Sequence, residues 1–372
     1  MEKIRVKPKR LLCIVSSMNT GGAETFLMKI FRNLDRENYQ MDFYCMSMEN
    51  GFYENEIISL GGKVYHSIPK SKNPLKSFLE LKKIVEDEKY DSVMRISQHS
   101  LATLDLIAAK MGGAKILIQR SSNSNSSSYF GKILHFVFKW LPKKIPTIKL
   151  APSTEAAEYT FGKNSVKKLE VNLIKNALNI EDFIFDNKKR QEIRSEFNIT
   201  NKFVIGHIGR ISMQKNHNFL IDIFKEVVKK EENSLLLIIG VGELEAEIKE
   251  KIKKNNLEDK VIFTGIRSDI PSLLMAMDVF VFPSLYEGLP NTVIEAQATG
   301  LPCVISDKIT KEVKITQSVY RKSLEENESI WAEKILSLKN INRNVDVKKE
   351  FIRAGYDINS VVEKLEKTIF YA

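Results

Sequence analysis

Short apolar runs alternate with amphipathic stretches through the first half of the chain. Residues 11–15 are continuously apolar, and after Gly21 and Gly22 apolar residues return at the spacing of a helix. That helical stripe consists of Ala23, Phe26, Leu27, Ile30, Phe31 and Leu34. Further strands are predicted at 41–47, 63–68, 91–97, 114–120 and 147–153, with helices at 77–87 and 101–111. This alternation predicts a doubly wound β/α domain.

The same alternation restarts near residue 202. Strands are predicted at 202–210, 234–242, 260–265, 279–284 and 301–306, with helices near 218–230 and 243–255. We therefore predict an α/β protein of two Rossmann-like domains in tandem. The N-terminal domain covers 1–178, a highly charged hinge or linker covers 179–200, and the C-terminal domain covers 201–355. A last helix, 356–372, is expected to return to the N-terminal domain.

Composition favours a folded protein of a reducing cytoplasm. The 372 residues are 43% hydrophobic, which is enough for two domains with cores of their own. Cys13, Cys45 and Cys303 lie far apart without a CxxC pair, so neither a disulfide framework nor a zinc site is indicated. No apolar run approaches the roughly 18 residues of a membrane span, and the run at 11–15 is too short for a signal peptide.

The charge balance indicates an anionic partner. A net charge of +10 and a pI near 9.2 favour nucleic acid, an acidic membrane or a phosphorylated ligand. Residues 106–154 contain eight basic residues and no Asp or Glu, and within them 129–144 mixes lysines with large apolar residues. This pattern is typical of a segment that lies in a membrane interface, and the alternative is a core helix with a solvated basic edge.

An anion site is predicted within residues 286–307. Pro290 suits the first position of a helix that stops at Gly300, and the start of such a helix offers N–H groups and partial positive charge to a phosphate. Glu287 and Glu295 flank this start. Either they accept hydrogen bonds from sugar hydroxyls on the two sides of the phosphate, or Glu287 caps the helix and Glu295 is simply solvated.

Cations and glycines follow the other strands of the second half. Arg210 and Lys215 leave one strand end on a glycine-bearing loop, where arginine can bind two phosphate oxygens and lysine acts as a mobile charge. Gly240, Gly242 and Gly265 follow the next strands and indicate sharp turns or a close approach of backbone to a ligand. Open α/β sheets bind ligands beyond these strand ends.

Four segments together resemble retaining GT-B glycosyltransferases of family 4. PSLYEGLPNTVIEAQATGLPCVIS, residues 283–306, resembles the family's nucleotide-sugar motif, in which two glutamates are separated by seven residues. SSMNTGGAETFL, IKNALNIEDF and GHIGRISMQKNH are similar to its N-terminal Gly-Gly loop, interdomain hinge and phosphate-binding loop. The resemblance covers nearly the whole chain. It implies a GT-B fold whose two Rossmann-like domains face a central cleft, with acceptor bound by the first and nucleotide sugar by the second.

The resemblance assigns roles to matching positions. Glu287 is expected to contact the transferred sugar as the catalytic carboxylate, Glu295 to hold the ribose, and Ile266 to meet the base through its backbone. Arg210 and Lys215 are expected to bind the diphosphate, and the remaining donor-binding positions implied are Gly21, Gly22, Gly288, Leu289, Pro290, Asn291 and Thr292. No cofactor is implied beyond the nucleotide sugar as co-substrate.

One segment departs from the family pattern. Many relatives carry a histidine in an HSHN segment, where this chain has Arg120 and Asn123 in RSSN. The leaving phosphate can itself act as base in a front-face transfer, so activity is still expected. His99, at another strand end, is a possible substitute on the acceptor side, although a lone histidine is more often structural. His207 lies inside an apolar strand and is predicted to be a core residue.

The expected activity is metal-independent transfer of a hexose or N-acetylhexosamine, most simply from a UDP-sugar, to a lipid-linked glycan. No Asp-x-Asp pair, the motif of metal-dependent transferases, is found. The enzyme is expected in the cytoplasm, on the inner face of the membrane, where it serves capsule or exopolysaccharide synthesis.

A dinucleotide oxidoreductase is disfavoured because Glu245 stands where its fingerprint needs glycine. A sugar-nucleotide epimerase shares the architecture. A nucleic-acid-binding protein fits the charge, but no recognition module is present, so no nucleic acid is expected.

Overall fold

The computed structural model describes residues 8–19, 21–97, 99–122, 135–343 and 345–370. These residues form two compact units, 1–178 with 355–372 and 179–354. Each unit is built on its own parallel sheet.

The first unit contains seven parallel strands in the order β3-β2-β1-β4-β5-β6-β7. Their bounds are β1 Lys9–Val15, β2 Tyr39–Cys45, β3 Val64–His66, β4 Ser92–Ser97, β5 Ile116–Ser121, β6 Ile148–Ala151 and β7 Asn172–Leu173. The strand order reverses between β1 and β4. Leu12 of β1 pairs with Asp42 of β2 on one side and with Val93 of β4 on the other. This reversal is the switch point at which doubly wound sheets open a crevice.

Helices cover both faces of this sheet. Their bounds are α1 Gly22–Asn33, α2 Glu54–Ser59, α3 Pro74–Glu88, α4 Leu104–Met111, α5 Trp140–Lys144 and α6 Thr154–Phe161. One core lies between the sheet and α1, and a second lies between the sheet and the helices α3 and α4. The alternation of apolar strands with one-sided helices therefore buries apolar side chains on both faces of the sheet.

The second unit repeats the design with six parallel strands in the order β10-β9-β8-β11-β12-β13. Their bounds are β8 Phe203–Ile208, β9 Ser234–Ile239, β10 Val261–Phe263, β11 Val279–Phe282, β12 Cys303–Ser306 and β13 Val319–Lys322. The helices are α7 Asn187–Glu196, α8 His217–Lys230, α9 Glu245–Lys254, α10 Ile270–Ala276, α11 Asn291–Ala298, α12 Glu328–Leu336 and α13 Lys348–Arg353. The switch point of this sheet lies between β8 and β11.

The sequence pattern located every long strand, and two short ones escaped it. β7 has two residues, and the four residues of β13 end in the charged pair Arg321 and Lys322, so neither strand shows an apolar run. The helix expected at 101–111 begins as a 3-10 turn over Ser100–Thr103 before α4. The strands and helices that were predicted thus differ from the observed ones only at their ends.

The charged segment 179–200, expected to be a hinge or linker, contains a helix that packs into the second unit. Arg190 of α7 donates to the carbonyl oxygens of Met275 and Met277 at 2.8 Å each. Arg194 donates to Asp278 at 2.6 Å. The charged side chains of this segment therefore take part in a specific hydrogen-bond network with the second unit.

The last helix, α14 Ile358–Phe370, belongs to the first unit. Val361, Leu365 and Ile369 contribute to the core beneath α1. Phe370 stacks on Tyr39 of β2 with ring centroids 4.3 Å apart. Within the described ranges no helix is long and apolar enough to cross a membrane.

Candidate functional site

Most of the predicted donor residues meet at the carboxyl edge of the second sheet, at its switch point. Arg210 and Lys215 lie in the loop after β8, and Glu287 lies in the loop between β11 and α11. Parallel strands bring these loops to one edge although the residues are far apart in the chain.

Backbone and side-chain hydrogen bonds join the two loops. The Leu285 N–H donates to the Gln214 carbonyl at 2.9 Å, and the Gln214 side chain donates back to the Tyr286 carbonyl at 3.0 Å. Asn216 donates to the Pro283 carbonyl at 3.2 Å. The position of Lys215 is therefore fixed relative to Glu287 before any ligand arrives.

Lys215 and Glu287 form an ion pair at the centre of this edge. The Lys215 Nζ lies 2.7 Å from the Glu287 Oε1, and the two side chains are only 16% and 10% exposed. The same ammonium lies 4.5 Å from the centroid of the Phe282 ring. A Cβ at Gly209 would lie 3.0 Å from the Lys215 Cε, so this glycine leaves room for the lysine stem. Sequence reasoning placed the two residues on different parts of a ligand and did not anticipate the pair.

Arg210 occupies a different environment from Lys215. Its side chain is 74% exposed, and its Nε lies 3.0 Å from the Glu243 Oε2. An exposed pair of this kind contributes little to stability and is easily exchanged for another anion. Lys215 is therefore a cation held in place by its neighbours, whereas Arg210 is an exposed cation at the rim of the site.

The glycines of the next loop are required by backbone packing. Gly240 has a φ of +129°, and a Cβ there would lie 2.3 Å from the Gly209 carbonyl oxygen. A Cβ at Gly242 would lie 2.1 Å from the Ile211 carbonyl oxygen. The two loops at the ends of β8 and β9 touch through their main chains, and this contact explains both glycines without a ligand.

The start of α11 lies directly after the Glu287 loop. The helix begins at Asn291, so Pro290 precedes it as N-cap instead of occupying the predicted first helical position. Pro290 makes no side-chain cap hydrogen bond at this end, and the first turn holds no acidic residue. The N-terminal N–H groups and the helix dipole are therefore oriented towards the loop of Gly288 and Leu289. Thr292 and Glu295 are half-buried in the first turns.

Ile266 lies at the same edge, after β10. Its side chain is 75% exposed, and the preceding Gly265 has a φ of +68°. The Gly265 carbonyl accepts the Gly240 N–H at 2.9 Å, so the loops after β9 and β10 are also joined. Ile266 is thus an apolar side chain held at the rim by a fixed backbone.

Two buried histidines lie beneath Lys215, and only one was anticipated. His207 is fully buried and its Nδ1 is 2.9 Å from the Val281 carbonyl oxygen, which confirms it as a core residue. His217 meets it edge to face with ring centroids 4.6 Å apart. Burial and the Lys215 charge lower the pKa of His217 to about 4, and burial lowers the pKa of His207 well below its usual value. Both rings are therefore neutral near pH 7.

The predicted glycines of the first unit lie at the start of α1. Gly21 is the N-cap and Gly22 is the first helical residue. A Cβ at Gly21 would lie 2.2 Å from a carboxylate oxygen of Glu24, which folds back over it. Partial burial raises the pKa of Glu24. Sequence reasoning gave this carboxylate no role.

His99 is exposed at the end of β4, near a buried charge cluster. Arg95 lies 2.8 Å from Asp105, and Lys70 pairs with the same carboxylate. Desolvation lowers the pKa of His99, with smaller contributions from the charges of Arg95 and Lys70. His99 is therefore accessible and neutral near pH 7.

Arg120 lies inside the first unit. It is 2% exposed, its guanidinium lies 3.7 Å from the centroid of the Phe26 ring, and it donates to Asn176 at 2.6 Å. Desolvation lowers its pKa to about 9. The structure therefore makes Arg120 a brace between β5, α1 and the segment after β7. Asn123, the other candidate in this stretch, lies outside the described residues.

Among the residues described, no group of three or more His, Cys, Asp and Glu side chains is placed to hold a metal ion. Cys13, Cys45 and Cys303 are buried and unpaired with one another.

Comparison with known proteins connects this geometry to a family. Residues 189–357 match the family described as Glycosyl transferases group 1. The chain is 33% identical over 369 residues to the putative glycosyltransferase EpsF of Bacillus subtilis, covering 96% of this chain and 95% of that protein. It is 32% identical over 242 residues to an Escherichia coli UDP-Gal:alpha-D-GlcNAc-diphosphoundecaprenol alpha-1,3-galactosyltransferase, covering 63% and 62%.

Solved structures of glycosyltransferases share the fold. HepE of Anabaena in complex with UDP-glucose superposes with a TM-score of 0.78 at 19% identity, covering 98% of this chain and 100% of that one. WaaG, a glycosyltransferase involved in lipopolysaccharide biosynthesis, gives 0.73 at 12% identity, covering 98% and 100%. These likenesses confirm the predicted fold class of two Rossmann-like domains of the GT-B kind.

Proposed function

The chain belongs to the group 1 glycosyltransferase family, and from this premise we propose that it is a retaining hexosyltransferase of the family 4 type. The donor is a nucleoside-diphosphate sugar, in the first place a UDP-sugar, carrying a hexose or N-acetylhexosamine. The acceptor is a lipid-linked glycan that grows into capsule, exopolysaccharide or a similar surface polymer. Support comes from the names of the relatives, which include UDP-Gal as donor and a diphosphoundecaprenol-linked sugar as acceptor, and an amylovoran and a capsule glycosyltransferase.

The observation that carries the proposal is the Lys215–Glu287 pair beside the start of α11. A diphosphate bound at the helix start accepts hydrogen bonds from the N–H groups there. It also attracts the Lys215 ammonium away from Glu287, because a diphosphate carries more negative charge than a single carboxylate. Glu287 then exchanges its lysine contact for hydroxyls of the donor sugar. Glu295, further along the same helix, is assigned to the ribose, and Arg210 to the outer phosphate oxygens.

The proposed transfer needs no side chain as base. The bond between the sugar C1 and the phosphate oxygen breaks, and the acceptor oxygen bonds to C1 on the same face. The acceptor proton passes to the departing phosphate oxygen. The chain's residues bind and orient the diphosphate, and Lys215 with the α11 N–H groups stabilises the charge that develops on it. We assign no metal to this step.

The acceptor also locates the enzyme. A lipid-linked acceptor lies in a bilayer, so we propose that the protein works at the cytoplasmic face of an anionic membrane and docks through the basic stretch 106–154. About 1 kcal/mol of attraction is expected for each lysine near such a surface. No nucleic acid is assigned as partner.

Transfer assays test the proposal directly. Purified protein is incubated with UDP-, GDP- and ADP-sugars and a polyprenyl-diphosphate-linked sugar, and the product is analysed by mass spectrometry and NMR. We expect transfer from one UDP-sugar with the anomeric configuration of the donor kept. Inverted product would contradict the retaining assignment, and donor converted to its epimer without acceptor would identify an epimerase instead. Binding to nucleic acid that a nucleotide sugar does not displace would contradict the enzymatic assignment.

A further inference from the structure

A short turn between α6 and β7 ends in an unusual residue. The Leu169 N–H donates to the Val166 carbonyl at 3.0 Å, and the Glu170 N–H donates to the Ser165 carbonyl at 3.0 Å. This pair of hydrogen bonds is the Schellman arrangement, in which the residue at the position of Leu169 adopts a left-handed backbone. Its φ is +58°.

Leucine is a poor choice for this conformation. Glycine or asparagine occupies it at lower cost, because a Cβ crowds the following carbonyl oxygen. Packing does not offset the cost here, since the Leu169 side chain is 92% exposed. The turn therefore accepts backbone strain and presents a large apolar side chain to the surroundings. An outlier of this kind points to a contact made outside the folded unit.

Other exposed apolar side chains lie beside this turn. A Cβ at Gly162, the residue that starts the turn, would lie 3.0 Å from the Cε of Lys143. The His135 ring stacks on Tyr159 of α6 at 4.3 Å, so residues 135–144 pack along α6 up to the turn. Phe136, Val137 and Trp140 of this segment are exposed.

Lysines surround these apolar side chains. The segments 135–144 and 162–169 contain no Asp or Glu and carry Lys139, Lys143, Lys144, Lys163, Lys167 and Lys168. Lys143, Lys144 and the three lysines of the turn are exposed. The nearby Glu158 accepts the Asn164 N–H at 2.9 Å, which holds this carboxylate at the base of the turn. Glu170, which follows the turn, is a second and exposed acidic residue.

We propose that Leu169 is a membrane-inserting residue, and that the surface formed by 135–144 and 162–169 is the site at which the first unit binds an anionic phospholipid leaflet. This deepens the membrane association in the proposed function and rests on it. Apolar side chains bounded by lysines match the acyl boundary and the headgroup charge of such a leaflet. A second protein chain is the alternative occupant, and the charge of the surface argues against a second copy of itself.

Variants of Leu169 separate membrane insertion from folding. Leu169→Gly and Leu169→Asn relieve the strain, so both should raise Tm by roughly 1–2 °C. The same variants should weaken binding to vesicles of phosphatidylglycerol and phosphatidylcholine at least about threefold, because an aliphatic side chain no longer inserts. Leu169→Trp should bind at least as tightly as the wild type. Lys167→Glu with Lys168→Glu should weaken binding by about fivefold or more for each charge at low salt.

Two controls complete the vesicle experiment. Asn256→Gly changes another residue with a positive φ, and Ile184→Asn removes an exposed aliphatic side chain from the second unit. Both should bind vesicles as the wild type does. Wild-type affinity in Leu169→Gly would overturn the proposal, as would equal binding to pure phosphatidylcholine vesicles or no vesicle binding by the wild type. A wild-type dimer that Leu169→Gly converts to a monomer would assign the surface to a second copy.

Activity assays keep this inference distinct from the proposed function. With a short water-soluble acceptor analogue, Leu169→Gly should retain wild-type kcat/KM. Vesicle binding without any sugar transfer would sink the proposed function and leave the membrane surface standing. Transfer to the soluble analogue without vesicle binding would overturn the membrane surface and leave the proposed function standing.

Discussion

The Lys215 ammonium and the Glu287 carboxylate, 72 residues apart in the chain, lie 2.7 Å from each other at the switch point of the second sheet. Each side chain is mostly enclosed, so each neutralises the other in the absence of ligand. In the proposed function a bound diphosphate changes the partners of both side chains, so that phosphate binding would release the Glu287 carboxylate.

Glu287→Gln should lower kcat/KM for transfer by roughly 10- to 150-fold, since a hydrogen bond to a charged group is worth about 1.5–3 kcal/mol. Free UDP should bind this variant as tightly as the wild type or tighter, because Lys215 no longer has a competing carboxylate. Steady-state kinetics and calorimetry measure the two quantities. Glu243→Gln, which changes an exposed rim carboxylate, is the matched control and should keep near-normal turnover. Equal loss in both variants would contradict the assignment of Glu287.

Glu295→Gln should raise the dissociation constant for UDP and for the donor together, because the proposed ribose contact is present in both ligands. The expected change is about tenfold. Fluorescence titration with UDP and with uracil alone measures it. Weaker binding of uracil itself would indicate a general distortion of the site instead of a lost ribose contact.

Lys215→Met should weaken UDP and donor binding in parallel, and Arg210→Ala should do so less, because Lys215 is enclosed and Arg210 is 74% exposed. Added chelator should change neither binding nor rate. Titrations at two salt concentrations measure both variants, and only the Arg210 contribution should fall strongly with salt. Activity abolished by chelator would show that the metal-free mechanism is wrong.

Asp278→Asn should destabilise the second unit by roughly 3–5 kcal/mol, because it breaks an enclosed ion pair. The Asp278 carboxylate accepts from Arg190 at 2.5 Å, from Arg194 at 2.6 Å and from the Val204 N–H at 2.7 Å. Urea unfolding measures the loss. Glu250→Gln removes an exposed pair with Lys254 and should leave the free energy of unfolding close to that of the wild type.

His217 should make stability fall on acidification. Its pKa is about 4 in the folded protein and 6.5 ordinarily, so the unfolded chain binds the proton first. The contribution of neutral His217 to the free energy of unfolding is complete above pH 6.5 and is lost as the pH falls towards 4, and it amounts to roughly 3–4 kcal/mol. His207 acts in the same direction. Denaturant unfolding from pH 8 to pH 4 measures the slope, and His217→Phe should flatten it while leaving the aromatic contact with His207. An unchanged slope would show that His217 does not set it.

Much of this molecule is encoded in local patterns. Short, mostly apolar segments separated by one-sided helices predicted β1 to β6 and β8 to β12, since periodicity depends only on neighbouring residues. The two-residue β7 has no such signal. The motif around Glu287 and Glu295 predicted the loop and helix of the candidate site, because both lie in one continuous segment. His207 was recognisable as a core residue from the apolar strand around it.

Other features arise only when distant segments pack together. The alternation of strands and helices implies that the strand ends share an edge, but it does not specify that Lys215 pairs with Glu287. Nor does it specify that Gly240 and Gly242 contact the backbone of Gly209 and Ile211. The inward orientation of Arg120 over Phe26 is likewise absent from it. Each of these depends on side-chain direction and on the separation of two packed elements, to within about an ångström. Local sequence patterns were enough to predict the two domains and the segments that form the candidate site. The tertiary structure decided which charges meet, because Coulombic and hydrogen-bond energies depend on distances that periodicity does not encode.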